Sequence, residues 1–132
     1  MTEIAKFGMA LFFAFSAING ATHAAAAELV MLERKGCSWC QRWHTEIGPV
    51  YPKTAEAAIA PLRIVDIDQE WPADLSEIHR ERFTPTFVLV ENGKEIGRIR
   101  GYSGDEFFWF LVGEMLGKLG DRPRSGEVQS GI

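Results

Sequence analysis

Residues 29–40 read LVMLERKGCSWC, which joins an apolar run, a charged turn and a pair of cysteines. Cys37 and Cys40 are the only cysteines in the chain. A strand, a turn and then Cys-x-x-C at a helix start is the layout of a thiol–disulfide exchange site. A disulfide across so short a loop stabilises a fold very little, because the stabilisation grows with loop length. The pair is therefore predicted to serve chemistry rather than structure.

The N-terminal residues predict export. Residues 7–18 form an apolar segment, which is shorter than the roughly 20 residues of a membrane-spanning helix. Lys6 precedes the segment and small residues follow it through Ala27, as in a cleavable signal peptide. We expect residues 1–27 to be a signal peptide, with an uncleaved membrane anchor as the alternative. Export places the cysteines in an oxidising compartment.

Length and charge limit what the rest of the chain can be. About 105 residues follow the predicted signal, enough for one domain with a modest core, which we place at residues 28–120. Residues 121–132 are polar and rich in Gly, Ser and Pro, so a disordered tail is predicted. The net charge of −4 argues against a nucleic-acid partner. Because no segment suggests dimerisation, we expect a monomer.

The first half of the domain alternates between strand and helix patterns. A strand is predicted over Glu28–Glu33 and a second over Leu62–Asp68, because both are apolar runs of strand length. A helix follows Cys40 and is expected to end or kink at Gly48-Pro49. Helix is expected to resume over Thr54–Ala60. One face of this helical stretch is predicted to be apolar, with Trp43, Ile47, Val50 and Tyr51.

The second half predicts a short helix, a hairpin and a final helix. Asp74 and Glu77 have capping-box spacing, which predicts a helix from Asp74 to about Arg82. The Asn-Gly turn at residues 91–94 predicts a hairpin between Thr86–Val90 and Glu95–Arg100. Ser103 begins a second capping box, and the helix behind it has one apolar face, composed of Phe108, Leu111, Val112, Met115, Leu116 and Leu119. The class is α/β, in the order β-α-β-α-β-β-α.

This order resembles the thioredoxin fold in its shorter, glutaredoxin-like form. Three landmarks match it: Cys37 to Cys40 at a helix start, Thr84-Pro85 before the hairpin, and Gly101 after the last strand. The resemblance implies a central four-stranded mixed sheet flanked by helices. It also implies that Cys37 and Cys40 are catalytic, that Pro85 is cis, and that Thr84 and Pro85 bind an extended substrate.

Three segments carry a narrower resemblance: GCSWC at residues 36–40, EIGPVYPKT at 46–54 and PLRIVD at 61–66. They look like the periplasmic thioredoxin-like proteins found with bacterial sulfur-oxidation systems. That family implies a periplasmic protein that reduces disulfides or mixed disulfides on a sulfur-handling protein. It implies a membrane thiol transporter as the source of electrons, and no cofactor besides the redox-active disulfide.

Two departures from the wider family leave the direction of catalysis open. Cytoplasmic thioredoxins carry a buried aspartate six residues before the first cysteine, where this chain has Met31. Proton transfer to Cys40 then either uses another group or matters less to the reaction. The dipeptide between the cysteines is Ser-Trp, and this dipeptide tunes the redox potential. A reductase, an oxidant and an isomerase all remain open.

The surroundings of the cysteines suggest their roles. Cys37 is expected in the first helical turn, where the helix dipole favours a thiolate and lowers the pKa of the thiol. Arg34, Lys35 and Arg42 could add to this effect or simply be solvated. Cys40, one turn further on, is expected to be the buried resolving thiol. Trp39 is interpreted as an exposed platform for substrate, the alternative being a ring folded back onto the domain.

A glutathione site is a further possibility. The sequence from Gly101 to Asp105 looks like the glutaredoxin turn and helix start that hold glutathione. Asp105 would pair with the glutathione ammonium group, so glutathione would be a co-substrate in a deglutathionylase. The alternative is that Ser103 and Asp105 only cap the helix. Tyr102 replaces a glycine of the glutaredoxin pattern, which favours capping.

The remaining alternative class is a copper(I) carrier on the same fold. Cys37 and Cys40 would supply two thiolates to copper(I). A wider metal site would add His44, but structural zinc usually needs four ligands and the remaining candidate, His79, is predicted on another helix. We therefore predict no metal site and interpret His44 as an ordinary surface residue. Phe107 and Phe110 are interpreted as part of a wide buried helix face, with a partner surface as the alternative.

Overall fold

The computed structural model describes residues 27–120, which form a four-stranded sheet in the order β2-β1-β3-β4. β1 (Ala27–Glu33) runs parallel to β2 (Leu62–Asp66) and antiparallel to β3 (Thr86–Glu91). β3 pairs antiparallel with β4 (Lys94–Arg100). The predicted mixed sheet is confirmed. The predicted disordered tail and the predicted signal peptide, apart from Ala27 in β1, lie outside the described residues.

Glycine, proline and capping residues mark the ends of the first two helices. α1 (Ser38–Glu46) ends just before Gly48-Pro49, as predicted. A 3₁₀ turn at Tyr51–Lys53 leads into α2 (Ala55–Ile59), whose first turn is capped by the Thr54 hydroxyl. α3 (Asp105–Gly120) closes the domain. Within residues 27–120, no helix is both long and apolar enough to cross a membrane.

The hairpin turn follows from its Asn-Gly sequence. Asn92 and Gly93 both have positive φ, at 51° and 76°. Two successive residues in this region give a turn whose twist matches that of the flanking strands, and Asn and Gly adopt it at the lowest cost. The turn pairs Glu91 with Lys94 and places β4 at one edge of the sheet.

The larger core lies between one sheet face and helices α1 and α3. Leu29, Met31 and Phe87 from the sheet pack against Trp43 of α1 and Phe108 of α3. The ring centroids of Trp43 and Phe87 are 5.3 Å apart and those of Phe87 and Phe108 are 5.0 Å apart, within the range of favourable aromatic pairs. This packing fixes the start of α1, and with it both cysteines, over the end of β1.

Within residues 27–120, a 3₁₀ turn and single side chains cover the second sheet face, and no α-helix lies on it. The helix predicted from Asp74 to Arg82 is reduced to a 3₁₀ turn at Ala73–Leu75. The Asp74 carboxylate binds both terminal nitrogens of Arg63, at 2.6 and 3.0 Å, so it does not serve as a helix cap. The Trp71 indole N–H donates to the Leu75 carbonyl at 2.8 Å. These tertiary contacts outweigh the local capping signal, and Leu75 and Ile78 pack as single side chains against the sheet.

Two predictions of burial need correction. Val50 was expected on the apolar face of the first helical stretch, but it lies beyond the end of α1 and is 49% exposed. Phe107 and Phe110 were expected in a wide buried face of α3, but they are 54% and 61% exposed. The buried face of α3 is narrower, and it consists of Phe108, Val112 and Met115 with the partly buried Leu111, Leu116 and Leu119 beside them.

Candidate active site

The two cysteines form a disulfide at the start of α1. Cys37 occupies the N-cap position, and its Sγ accepts the backbone N–H of Cys40 at 3.1 Å. Cys37 is half-buried, whereas Cys40 is only 2% exposed. In the reduced protein, the same helix-terminal N–H would stabilise negative charge on the Cys37 sulfur. The arrangement of an outer and an inner cysteine is the one the sequence predicted.

The cations near the cysteines are mostly paired with carboxylates. Arg34 forms an ion pair with Asp68 at 2.8 Å, and Arg42 forms one with Glu46 at 2.8 Å. Lys35 is exposed and has no ion-pair partner within residues 27–120. Gly36, with φ of 77°, makes the turn that leads from this charged segment into α1. The helix start is therefore the more dependable source of stabilisation for a Cys37 thiolate.

A groove of about 470 Å³ opens beside the active-site helix. It brings together four of the predicted site residues: Trp39, Thr84, Pro85 and Gly101. Its remaining lining comes from Phe83, Arg100, Tyr102 and Ser103. Residues from α1, from the loop before β3 and from the end of β4 and the loop after it thus form one surface, which includes Trp39 from between the two cysteines.

The Thr84-Pro85 segment is held in place by its neighbours. The Thr84–Pro85 peptide bond is cis. The Pro85 carbonyl accepts the Gly101 N–H at 2.7 Å, and the Thr86 hydroxyl donates to the Phe83 carbonyl at 2.7 Å. Among the residues that the structure describes, none hydrogen-bonds to the backbone N–H or C=O of Thr84. Thr84 therefore presents a donor and an acceptor to the groove.

Gly101 is required by the close approach of two loops. Its φ is 86°, and a Cβ at this position would lie 3.4 Å from the Phe83 ring. The strained backbone conformation and the close contact both disfavour a side chain here. Gly101 thereby lets the loop after β4 approach the Thr84-Pro85 segment.

A polar network orders one wall of the groove. The Tyr102 hydroxyl donates to Glu46 at 2.5 Å, and Arg42 binds the other oxygen of the same carboxylate. The Arg42 guanidinium lies over the Trp39 ring, 5.5 Å from its centroid, and 5.9 Å from that of Tyr102. The hydrogen bond from Arg42, followed by that from Tyr102, lowers the pKa of Glu46. Burial and the bond to Glu46 raise the pKa of Tyr102.

Trp39 is 53% exposed, so its ring is not folded into the core. It lies between Arg42 and the open groove, where an apolar surface next to a reactive sulfur can contact a substrate. Phe83 and Tyr102 were missed as groove residues by the sequence reasoning. Their signals were present, since each is an aromatic residue adjacent to a recognised landmark, Thr84-Pro85 in one case and Gly101 in the other.

Asp105 is separated from the other predicted site residues. It is the first residue of α3, its carboxylate accepts the backbone N–H of Glu106 at 2.8 Å, and it does not line the groove. It lines a neighbouring pocket of about 330 Å³, which shares Ser103 with the groove. The geometry therefore places Asp105 at the helix start and at one side of the candidate site.

His44 is engaged by a carboxylate. Its Nε2 lies 2.5 Å from an Oε atom of Glu33, and both side chains are partly buried. Within residues 27–120, no cluster of three or more His, Cys, Asp or Glu side chains has the arrangement of a metal site. His44 is thus part of an ion-pair contact between α1 and the end of β1, which the sequence did not predict.

Comparison with known proteins agrees with this geometry. The sequence model of the thioredoxin-like domain matches residues 15–112. Among solved structures, the chain is similar to the periplasmic thioredoxin SoxS from Paracoccus pantotrophus in its reduced form, at 38% identity and a TM-score of 0.66. That match covers 70% of this chain and 98% of SoxS. It confirms the resemblance to thioredoxin-like proteins, including the narrower resemblance to periplasmic members.

More distant structures share the fold. The Malassezia sympodialis thioredoxin Mala s 13 has 21% identity and a TM-score of 0.53, over 70% of this chain and 76% of its own. Fasciola hepatica thioredoxin has 21% identity and a TM-score of 0.51, over 69% of this chain and 82% of its own. No curated protein sequence matches the chain significantly.

Proposed function

This chain belongs to the thioredoxin-like family and is a thiol–disulfide oxidoreductase, and from this premise we propose that it reduces disulfides or mixed disulfides on exported proteins. The observation that carries the proposal is the setting of Cys37. Its sulfur accepts a helix-terminal N–H, and Trp39 of the same motif lines an open groove that also holds the unpaired backbone of Thr84. A thiolate next to a site for extended peptide is what attack on a protein disulfide requires.

The periplasm is the proposed location. Two observations support it: the signal-peptide pattern in residues 1–27, and the description of the similar SoxS as a periplasmic thioredoxin. A sulfur-handling protein of a sulfur-oxidation system is the proposed substrate, on the strength of the narrower family resemblance. Because that compartment is oxidising, the disulfide needs an outside reductant, for which we propose a membrane thiol transporter.

The proposed reaction uses the two cysteines in sequence. The Cys37 thiolate attacks one sulfur of the substrate disulfide, and the other substrate sulfur leaves as a thiolate. Cys40 then attacks the Cys37 sulfur, breaks the mixed disulfide and releases the second substrate thiolate. Two electrons pass to the substrate, and the product on this chain is the Cys37–Cys40 disulfide that the structure contains. Two electrons from the reductant restore both thiols.

The groove would position the substrate for this attack. The free N–H and C=O of Thr84 can pair with the backbone of an extended segment around the substrate cysteine. Trp39, Phe83 and Tyr102 offer apolar contact to the side chains beside it. This combination favours protein substrates of varied sequence, because backbone hydrogen bonds and aromatic contacts depend little on which side chains the substrate carries.

Trapping variants test the proposed roles. Cys40→Ser should accumulate mixed disulfides with periplasmic proteins, because the resolving thiol is gone while the attacking thiol remains. Cys37→Ser, the matched control, should trap none, because Cys40 is buried. Equal trapping by the two variants would refute the assignment. Mass spectrometry of the trapped species would identify the substrate.

The redox potential of the Cys37–Cys40 pair tests the direction. A reductase should have a value near that of thioredoxin, about −270 mV, whereas a value near about −120 mV would mark a strong oxidant and contradict the proposal. Titration of the reduced protein with copper(I) tests the alternative carrier function. Tight copper binding together with no turnover of a protein disulfide would favour the carrier.

A further inference from the structure

The resolving step poses a problem of proton transfer. Cys40 is only 2% exposed, and burial in apolar surroundings keeps a thiol protonated. The thiolate is the attacking species, so the proton of Cys40 has to pass to a nearby base during attack. Met31, which packs in the same core cluster as Cys40, has no group that can accept it.

His44 is placed to accept that proton. It follows Cys40 by one helical turn on the same face of α1, a spacing that puts the two Cβ atoms about 5–6 Å apart. Side chains on a helix lean toward its N-terminus, so the imidazole leans from residue 44 toward residue 40. The ring of Trp43, with its centroid 5.3 Å from that of His44, packs against it edge-on.

Glu33 approaches the same region from the sheet. Residues 29, 31 and 33 alternate onto one face of β1, and Leu29 and Met31 of that face belong to the core cluster that contains Cys40. At the end of β1, the Glu33 carboxylate lies 2.5 Å from Nε2 of His44. Within residues 27–120, Glu33 is the charged group that contacts the imidazole, and Arg34 beside it is paired with Asp68.

We propose that His44, held by Glu33, is the proton acceptor for Cys40 when Cys40 resolves the mixed disulfide on Cys37. The inference rests on the proposed two-cysteine reaction, but it concerns a step that is independent of the natural substrate. It assigns a role in proton transfer to a histidine interpreted from the sequence as a surface residue, with a metal ligand as the alternative.

The proposed step balances as follows. The contact with Glu33 assigns the imidazole N–H to Nε2, which leaves the lone pair of Nδ1 to take the proton from the Cys40 sulfur. As this proton moves, the Cys40 sulfur bonds to the Cys37 sulfur, and the bond between Cys37 and the substrate sulfur breaks. The substrate leaves as a thiolate. The Glu33 carboxylate stabilises the imidazolium, which then returns its proton to water or to the leaving thiolate.

Stopped-flow reaction of the reduced protein with an aromatic disulfide such as dithiobis(nitrobenzoate) separates the two steps. Attack by Cys37 releases the first coloured thiolate, and resolution by Cys40 releases the second. His44→Gln should leave the first phase unchanged and slow the second by roughly 100-fold or more, the usual contribution of a general base. Glu33→Gln should slow the second phase by a smaller factor. His79→Gln, at an exposed histidine on another segment, is the matched control.

Chemical rescue separates proton transfer from a structural effect. Added imidazole should restore part of the second-phase rate of His44→Gln, because a base in solution can then take the proton from Cys40. An unchanged second phase in His44→Gln would overturn the proposal. Equal slowing of both phases would also overturn it, because the pair would then only support the fold. Since the probe is a small disulfide, failure of the reductase function on proteins would leave this test intact.

Discussion

Cys37 ends the turn that leads into α1, and its sulfur contacts one of the free N–H groups at the start of that helix. The hydrogen bond from the Cys40 N–H, at 3.1 Å, is directed at the atom that must become a thiolate. The arginines on either side are paired with Asp68 and Glu46, which reduces what they can offer to the sulfur. The local field at Cys37 is therefore set mainly by backbone dipoles, which no surface substitution removes.

This geometry predicts a low pKa for the Cys37 thiol in the reduced protein. The midpoint should lie below the free-cysteine value of about 8.5, because the helix start stabilises the thiolate. Thiolate absorbance against pH measures it, with Cys40→Ser used to isolate Cys37. Lys35→Glu should raise the midpoint only slightly, since Lys35 is exposed. Lys35→Gln separates loss of the positive charge from gain of a negative one, and a midpoint at or above the free value would contradict the prediction.

At the level of elements, the first turn of α3 distinguishes two roles for Asp105, which are capping of the helix and binding of glutathione. The Asp105 carboxylate accepts the Glu106 N–H and lies outside the lining of the groove. We predict that Asp105→Asn lowers the turnover of a glutathionylated peptide no more than that of a protein disulfide. Asn keeps much of the capping ability and removes the charge. Selective loss of the glutathionylated substrate would instead establish an ammonium site at Asp105 and a glutaredoxin-type activity.

Elements defined by contiguous patterns could be predicted from the sequence. The apolar run of β1, the Asn-Gly hairpin and the apolar face of α3 each carry their own signal, and each is present in the structure. The segment after β2 could not be predicted, because its conformation depends on Arg63 of β2 binding Asp74. A capping signal of two residues is weak against a bidentate ion pair.

The candidate site likewise contains residues that the sequence predicts and residues that it does not. Motifs in the sequence identify Cys37, Cys40, Thr84 and Pro85. No motif predicts that Glu33 pairs with His44, because neither residue belongs to a recognisable pattern. The pairing exists because the end of β1 and the last turn of α1 pack against each other, which is a property of the fold rather than of either segment.

For the whole molecule, carboxylates connect segments that are distant in the sequence, through hydrogen bonds and ion pairs. Glu46 joins α1 to Tyr102 before α3, and Asp74 joins the 3₁₀ turn to β2. Glu81 accepts from Arg100 at 2.6 Å and from Arg98 at 3.3 Å, which ties the loop before Thr84 to β4. The hydrogen bonds from these basic and hydroxyl groups lower the pKa of all three carboxyl groups. The loop that contributes Phe83, Thr84 and Pro85 to the groove is thus held in place by ion pairs.

These lowered pKa values determine how stability depends on pH. A carboxyl group whose pKa is lower in the folded state than in the unfolded state stabilises the fold at any pH above its unfolded pKa, which is about 4.5. This stabilisation is lost as the pH falls through the pKa of the folded state. The free energy of unfolding should therefore decline below about pH 4.5. Glu81→Gln should lower the melting temperature by a few degrees at neutral pH, and the difference from wild type should shrink as the pH falls through the lowered pKa of Glu81.

Thermal unfolding of the oxidised protein across this pH range measures the effect, with Glu77→Gln, at an exposed carboxylate, as the control. Glu77 has no ion pair within the described part of the chain, so its substitution should leave the melting temperature near that of wild type throughout the pH range. A constant difference between Glu81→Gln and wild type would show that Glu81 acts through packing instead of charge. Because Glu81 anchors the loop that presents Thr84, the same variant should lose activity on protein disulfides before it loses activity on a small disulfide.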